Sequence, residues 1–307
     1  MEIPKTWQKV CEEIVSSPGK VLVLGRGSVG KTFFTTYLAN QGFKAKLKTG
    51  VLDMDIGQSN IGPPTTMGIG VLEKEASGLY EVEPKEIYFI GAISPSHPFA
   101  QKNILLGLKK LMSKDLDLDL FIIESISYLR DKNFMSLLLS LEMEVVSPKY
   151  VVIIVKPTDI PDNQNNEEYL SEKEMENGGK IFTVSAPKGI KTKSPNKRKR
   201  FRIESWLRYF KKGRRYLVDK SWDIWEGEIT QLNISCGLVD EDDEYFACGV
   251  LYDSNEDYYY LFAPNLEKKV KKIVLGKKEV EKEVIEFCKM ANVNEEKLEV
   301  LSNLDFS

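Results

Sequence analysis

A mostly parallel α/β sheet flanked by helices, followed by a small α+β unit, is the fold class this sequence predicts. Three observations predict it. Over the first two hundred residues, short apolar runs alternate with amphipathic stretches, as βα units do. One of those runs stops at a glycine-rich turn that opens a helical pattern. Past about residue 218 the texture changes to β-like runs separated by acid-rich turns. The expected organisation is a first domain of residues 1–218, with a basic lid at about 188–215, and a second domain of residues 219–307.

Each element has its own reason. Lys20–Leu24 is an apolar run ended by Gly25, and Phe33, Phe34, Tyr37 and Leu38 then share one helical face. Strands are expected at Gly50–Ile56, Glu86–Ile93, Leu118–Ser125, Tyr150–Lys156 and Lys180–Ser185. Ser96 and Pro98 supply cap and first-turn residues for a helix over Phe99–Ser113. The acidic, Asn-rich residues Asp159–Glu176 read as a surface excursion. Beyond 218, strands are expected at Ile229–Cys236, Tyr245–Tyr252 and Tyr258–Leu261, and a helix at Val280–Met290.

Composition excludes several chemistries. With 43 Lys+Arg against 46 Asp+Glu and 42% hydrophobic residues, the 307-residue chain has the profile of a soluble globular protein. Its longest apolar run, Tyr150–Val155, is too short to span a bilayer, so no membrane partner is expected. The acidic N-terminal region is unlike a signal or transit peptide, and a cytoplasmic location is the expectation. Cys11, Cys236, Cys248 and Cys288 lack zinc half-site spacing, so no zinc is expected. The single histidine, His97, leaves no room for an HExxH hydrolase, and any serine triad would have to be built around it. Net charge is −3, yet Lys188–Arg215 holds thirteen Lys or Arg and one acid, Glu204. Such segregation points to an anionic partner, with a merely solvated surface as the alternative.

Gly25-Arg26-Gly27-Ser28-Val29-Gly30-Lys31-Thr32 matches GxxxxGK[ST] between an expected strand and helix. Glycines let successive N–H groups face a phosphate at a helix N-terminus. Lys31 then reaches the β- and γ-phosphates, and Thr32 can ligate Mg²⁺. Gly25, Ser28, Val29, Thr32 and Phe33 complete the expected nucleotide site with Gly27, Gly30 and Lys31. Gly25, Gly27 and Gly30 also satisfy GxGxxG, with Asp53 as a ribose contact, but a dinucleotide turn has no use for the following Lys-Thr. Asp53 and Asp55, two apart at an expected strand end, would project to one side to hold Mg²⁺ or accept a proton. Ile203, Trp206, Leu207 and Phe210 make an amphipathic helix on which Arg198 and Arg202 share another face.

Together these pieces resemble the polynucleotide 5′-hydroxyl kinase family, which includes the RNA kinase of the messenger-RNA cleavage factor and the ribosomal-RNA processing kinases. The resemblance covers Lys20–Phe210. It rests on the phosphate loop, Asp53-Met54-Asp55-Ile56-Gly57-Gln58, Pro63-Pro64-Thr65-Thr66-Met67-Gly68, Phe89-Ile90-Gly91-Ala92-Ile93-Ser94-Pro95, and Arg198-x-x-x-Arg202 ending in Tyr209-Phe210. It implies transfer of the γ-phosphate of ATP, or GTP, with Mg²⁺ to the 5′-hydroxyl of RNA or DNA. It further implies Asp55 as the hydroxyl-activating carboxylate, Gln58 and Ser94 as substrate contacts, and Arg198 and Arg202 as lid residues. Where the family has Asp-Thr-x-Gly-Trp, this chain has Glu124-Ser125-Ile126-Ser127-Tyr128, a longer carboxylate without the glycine. Lys31, Arg198 and Arg202 are expected to hold the transferring group, Thr32 the metal, and Asp53 or Glu124 its outer sphere. The alternatives are a small-molecule or nucleoside kinase, which leaves the basic stretch unexplained, a nucleotide switch, which here lacks Asn-Lys-x-Asp, and an RNA-binding protein with a vestigial ATP site, against which the intact Lys31-Thr32 and Asp55 argue.

Overall fold

The computed structural model describes residues 2–96, 98–127, 132–160, 170–176, 178–190, 192–291 and 299–301. His97 and Tyr128, and with them the question of a histidine-based triad, lie outside this set.

Two sheets form the molecule. The first has β1 (Lys20–Gly25), β2 (Thr49–Asp53), β3 (Thr66–Val71), β4 (Pro84–Phe89), β5 (Leu120–Glu124), β6 (Tyr150–Val155), β7 (Leu170–Glu174) and β8 (Lys180–Ser185). Their order is β4-β3-β2-β5-β1-β6-β8-β7. The five central strands are parallel, while β3, β4 and β7 are antiparallel additions at the edges. The central strands are nearly continuous in apolar residues because both faces are covered. On one face α1 (Lys5–Ser16) and α2 (Lys31–Lys44) bury Trp7, Phe34 and Leu38 against Val21, Val23 and Ile122. On the other, α3 (Pro98–Met112) and α4 (Lys132–Val146) bury Ile104, Leu108 and Leu138 against Leu22, Leu52 and Ile123. Pro98 at the head of α3 fits its fixed φ and missing N–H.

Next comes α5 (Pro195–Tyr209), capped by Ser194, whose hydroxyl accepts the Lys197 N–H. The second sheet contains β9 (Arg214–Asp219), β10 (Trp225–Glu226), β11 (Ile234–Val239), β12 (Tyr245–Ser254), β13 (Tyr258–Ala263), β14 (Lys272–Glu279) and β15 (Glu299–Val300), with α6 (Lys282–Met290) beside it. Trp206 of α5 and Phe210, which caps its C-terminus, sit in a cluster with Phe89 of the first sheet, and Val250 and Phe262 of the second. Truncating either aromatic to Ala would cost about 3–5 kcal/mol.

Several expectations shift. Asp159–Glu176 is not all excursion, since Leu170–Glu174 pairs with β8 as an edge strand. The Ile229–Cys236 run is displaced to Ile234–Val239. β9 pairs with β13, so the second sheet begins before residue 218; Gly213, whose added Cβ would lie 2.4 Å from Phe262, marks the crossing.

Candidate phosphotransfer site

The site lies at the C-terminal ends of β1, β2 and β5, where ligands bind in open α/β sheets. Backbone shape comes first. Gly30 is left-handed at φ 98° and caps α2. A side chain there would strike Ile190, 2.6 Å away, and one at Gly25 would strike the Ile154 carbonyl at 2.7 Å. Ser28 is also left-handed, at φ 60°. The loop therefore curls into a concavity at the N-terminus of α2, a ready cradle for phosphate.

Lys31 is buried at 6% exposure. Its Nζ donates to the Gly25 carbonyl and the Ser127 hydroxyl, each at 2.9 Å. Burial pulls its ammonium below the ordinary range, opposed first by the charge of Glu124 and then by Asp55 and Asp53. Thr32 Oγ1 donates to Glu124 Oε1 at 2.7 Å. Glu124 Oε2 is buried with no hydrogen-bond partner. A carboxylate oxygen left bare beside a hydroxyl and a phosphate loop fits a hard divalent cation, so Thr32 and Glu124 would hold Mg²⁺. Burial, and then the neighbouring Asp53, push the Glu124 carboxyl above its ordinary range. Among the described residues no group of three or more His, Cys, Asp or Glu forms a separate metal cluster.

The two aspartates part company. β2 ends at Asp53, and Asp55 falls in the following turn, so the expectation that both project from one side of a strand fails. The cause is Asp53 itself. Its Oδ1 accepts the Asp55 N–H at 2.9 Å, and its Oδ2 accepts the N–H groups of Asn60 at 2.6 Å and Ile61 at 3.4 Å. Fully buried and so engaged, Asp53 shapes the turn. Asp55 is partly exposed, and its Oδ1 accepts the N–H groups of Gly57 and Gln58, both at 3.1 Å. Gln58 Oε1 is buried and unpartnered. Gly57 lies on the Ile93 carbonyl, 2.6 Å from where its Cβ would be, so the Asp55–Gln58 turn rests on the segment that carries Ser94. Ser94 is exposed, and its hydroxyl accepts the Ser96 N–H. Gly91 in that segment touches Gly276 of β14, and its carbonyl accepts the Lys277 N–H at 2.8 Å.

The lid arginines separate as well. Arg198 is exposed in the first turn of α5. Arg202 is mostly buried, and its Nε donates to Glu281 Oε1 at 2.5 Å, beside α6. In this arrangement the charge of Arg202 is paired with that of Glu281.

Four further residues take part: Ser127, Ser125, Glu142 and Asn60. Ser127 bonds Lys31, and its Cβ comes within 3.9 Å of a Cβ built on Gly27. Ser125 donates to Glu142, a buried acid on α4. Glu142 stands among Phe134, Leu138 and Val146 at four-residue spacing, and an acid on an apolar stripe was the available signal. Asn60, which braces Asp53, offered none.

A glycine cradle with a buried lysine, a Thr–Glu cation seat and a nearby carboxylate, all at strand C-termini, define a P-loop nucleotide-binding protein. The family model described as the mRNA cleavage and polyadenylation factor CLP1 P-loop matches residues 25–212, and the chain belongs to that family. The polyribonucleotide 5′-hydroxyl-kinase of Methanocaldococcus jannaschii is 26% identical over 281 residues, 86% of this chain and 72% of that one. That of Pyrococcus horikoshii is 26% identical over 217 residues, 69% of this chain and 56% of its own length. Of solved structures, the wild-type Clp1p–Pcf11p complex shares the fold, with a TM-score of 0.64 at 10% identity over 90% of this chain and 79% of that one. Among the described residues no helix is long and apolar enough to cross a membrane.

Proposed function

We infer that the chain transfers the γ-phosphate of ATP to the 5′-hydroxyl end of RNA. The observation that carries this reading is Asp55, which keeps a carboxylate oxygen uncommitted and stands close enough to Lys31 for its charge to act on the ammonium. The names of its archaeal relatives support the same substrate. In the transfer, the bond from the 5′-oxygen to the γ-phosphorus forms as the bond to the β,γ-bridging oxygen breaks, and ADP leaves. The hydroxyl proton passes to Asp55. Lys31 exchanges its hydrogen bonds with Gly25 and Ser127 for phosphate oxygens, so its charge arrives already desolvated. Arg198, exposed at the head of α5, supplies a guanidinium to the transferring group. Mg²⁺, when bound at Thr32 and Glu124, supplies charge neutralisation of the phosphates. Gln58 and Ser94 contact the acceptor. A loose transition state asks more of positioning than of proton abstraction.

The experiment is transfer of labelled γ-phosphate from ATP to a 5′-hydroxyl oligoribonucleotide. Wild type should label it and Asp55→Asn should lose about two decades of kcat while still binding ATP, because an amide accepts no proton. Asp53→Asn should instead lower the melting temperature. Transfer by Asp55→Asn at the wild-type rate would refute the assignment.

A further inference from the structure

A cleft of about 850 Å³ opens between the β4 edge of the first sheet and the second sheet. Its near wall is Asn60, whose N–H holds Asp53, and Gly62. From there it follows the end of α5 to Phe246 and Lys268 on the far side. Two aromatic rings stand in it with a cation on each. Arg208 lies 5.4 Å from the centroid of Tyr80, which is 41% exposed, and Lys268 lies 6.0 Å from that of Phe246. Arg208 also reaches the Ser205 hydroxyl, which in turn donates to the Ser59 carbonyl at 3.0 Å, tying the cleft wall to the acceptor turn. Lys211 and Lys212 line the same wall and are exposed. Among the described residues, no carboxylate lies within 4 Å of the charged ends of Arg208, Lys211 or Lys212. The acids of the cleft are in part neutralised, Glu86 by Lys114 and Glu244 by Lys110 and Lys114.

We propose that this cleft is a track for single-stranded RNA, taking the nucleotides that follow the 5′ end held at Asp55. Lys268 is held by Asp240 at 2.6 Å, but Arg208, Lys211 and Lys212 are not so engaged. Aromatic faces beside such cations are what a single strand needs, since bases stack on rings and phosphates meet the charges without regard to sequence. An acidic peptide would use the cations but leave Tyr80 and Phe246 idle. The proposal rests on the kinase reading for its direction, from Asp55 past Asn60, but the cleft itself can be tested without catalysis.

The test compares a 5′-hydroxyl dinucleotide with a 12-mer RNA carrying a 3′ fluorophore, using wild type and an Arg208→Ala/Lys211→Ala/Lys212→Ala variant. Wild type should show a lower KM for the 12-mer. The variant should raise that KM about tenfold and keep kcat/KM on the dinucleotide. It should also flatten the log–log salt dependence of 12-mer binding by about 2, at about 0.7 for each phosphate no longer neutralised. Fluorescence anisotropy reads the binding whether or not phosphate is transferred, so a wild type that binds and does not phosphorylate refutes the kinase and leaves the cleft test standing. Lys212→Glu, at one exposed position, should weaken 12-mer binding with an unchanged melting temperature and serves if the triple variant misfolds. Equal losses on both lengths, an unchanged 12-mer affinity, or displacement of the RNA by polyglutamate at equal concentration would overturn the proposal.

Discussion

Around the phosphate loop, Lys31, Asp53, Glu124 and Glu142 are each 6% exposed or less. On α5, by contrast, five of the six cations between Lys197 and Arg208 stand in solvent. The first region cannot leave a charge unattended, because an unpaired buried ion costs several kcal/mol, so the positions of its groups are over-determined. The second region pays almost nothing for its charges and correspondingly specifies little about where they point. Burial thus converts a residue type into a place, whereas a solvated arginine remains a residue type until some other element claims it. Glu281 claims Arg202, and the exposed acids Glu283 and Glu204 hold Lys199 and Arg200 only at the surface.

The strongest way to break this contrast is Lys31→Ala. Loss of a pre-desolvated cation should lower kcat by two to three decades, about 3–4 kcal/mol, with the circular-dichroism spectrum unchanged. Near-normal turnover in a folded variant would dissolve the distinction. The arginine pair sharpens it. Arg198→Ala should lower kcat roughly tenfold at saturating RNA with little change in melting temperature, since its role begins only when the phosphoryl group is in flight. Arg202→Ala should do the reverse, costing about 1–2 kcal/mol of stability by orphaning Glu281 while sparing kcat. If both variants lose kcat alike, the ion pair to Glu281 does not persist during turnover.

The smallest effect belongs to Glu142. Burial pushes its carboxyl up to about 7, with the Ser125 hydroxyl and Lys31 working against the rise. The folded state therefore holds its proton more tightly than the unfolded chain. This contribution to stability is fully present below the unfolded value of about 4.3 and is lost as pH climbs through about 7. Glu142→Gln should melt a few degrees above wild type at pH 8 and about level with it at pH 4, read by thermal denaturation. Parallel curves for the two proteins across that range would exclude the linkage.

Legibility followed the same division. The phosphate loop could be read because its function is written in backbone demands: only glycine tolerates Gly30 at φ 98° against Ile190. The parallel core was legible from apolar runs such as Tyr150–Val155, buried on both faces. Asp53 and Asp55 were visible as a pair but not as a turn-builder and a carboxylate with one oxygen uncommitted, because that depends on the N–H groups of Asn60 and Ile61, seven and eight residues on. The edge strand β7 escaped because an edge strand needs less apolar content than a central one, and β3, paired on both sides, because Gly68 and Gly70 interrupt its apolar run. Arg202 looked identical to Arg198 in the sequence, and only a glutamate 79 residues away tells them apart. Strand β14 was hidden by its lysines, which reach solvent from a strand whose Ile273 and Leu275 are buried.

The meeting of Gly91 with Gly276 carries a consequence for how the protein comes into being. A chain leaving the ribosome has every central strand of the first sheet once Ser185 has emerged, and the phosphate cradle can then close. The segment leading to Ser94 is still unbraced at that stage, because the N–H that holds the Gly91 carbonyl belongs to Lys277, ninety-two residues later than Ser185. The nascent protein therefore acquires its grip on nucleotide well before its acceptor side is finished. Substitutions that slow pairing of β14 would prolong an interval in which nucleotide can be held but nothing is correctly presented to receive its phosphate.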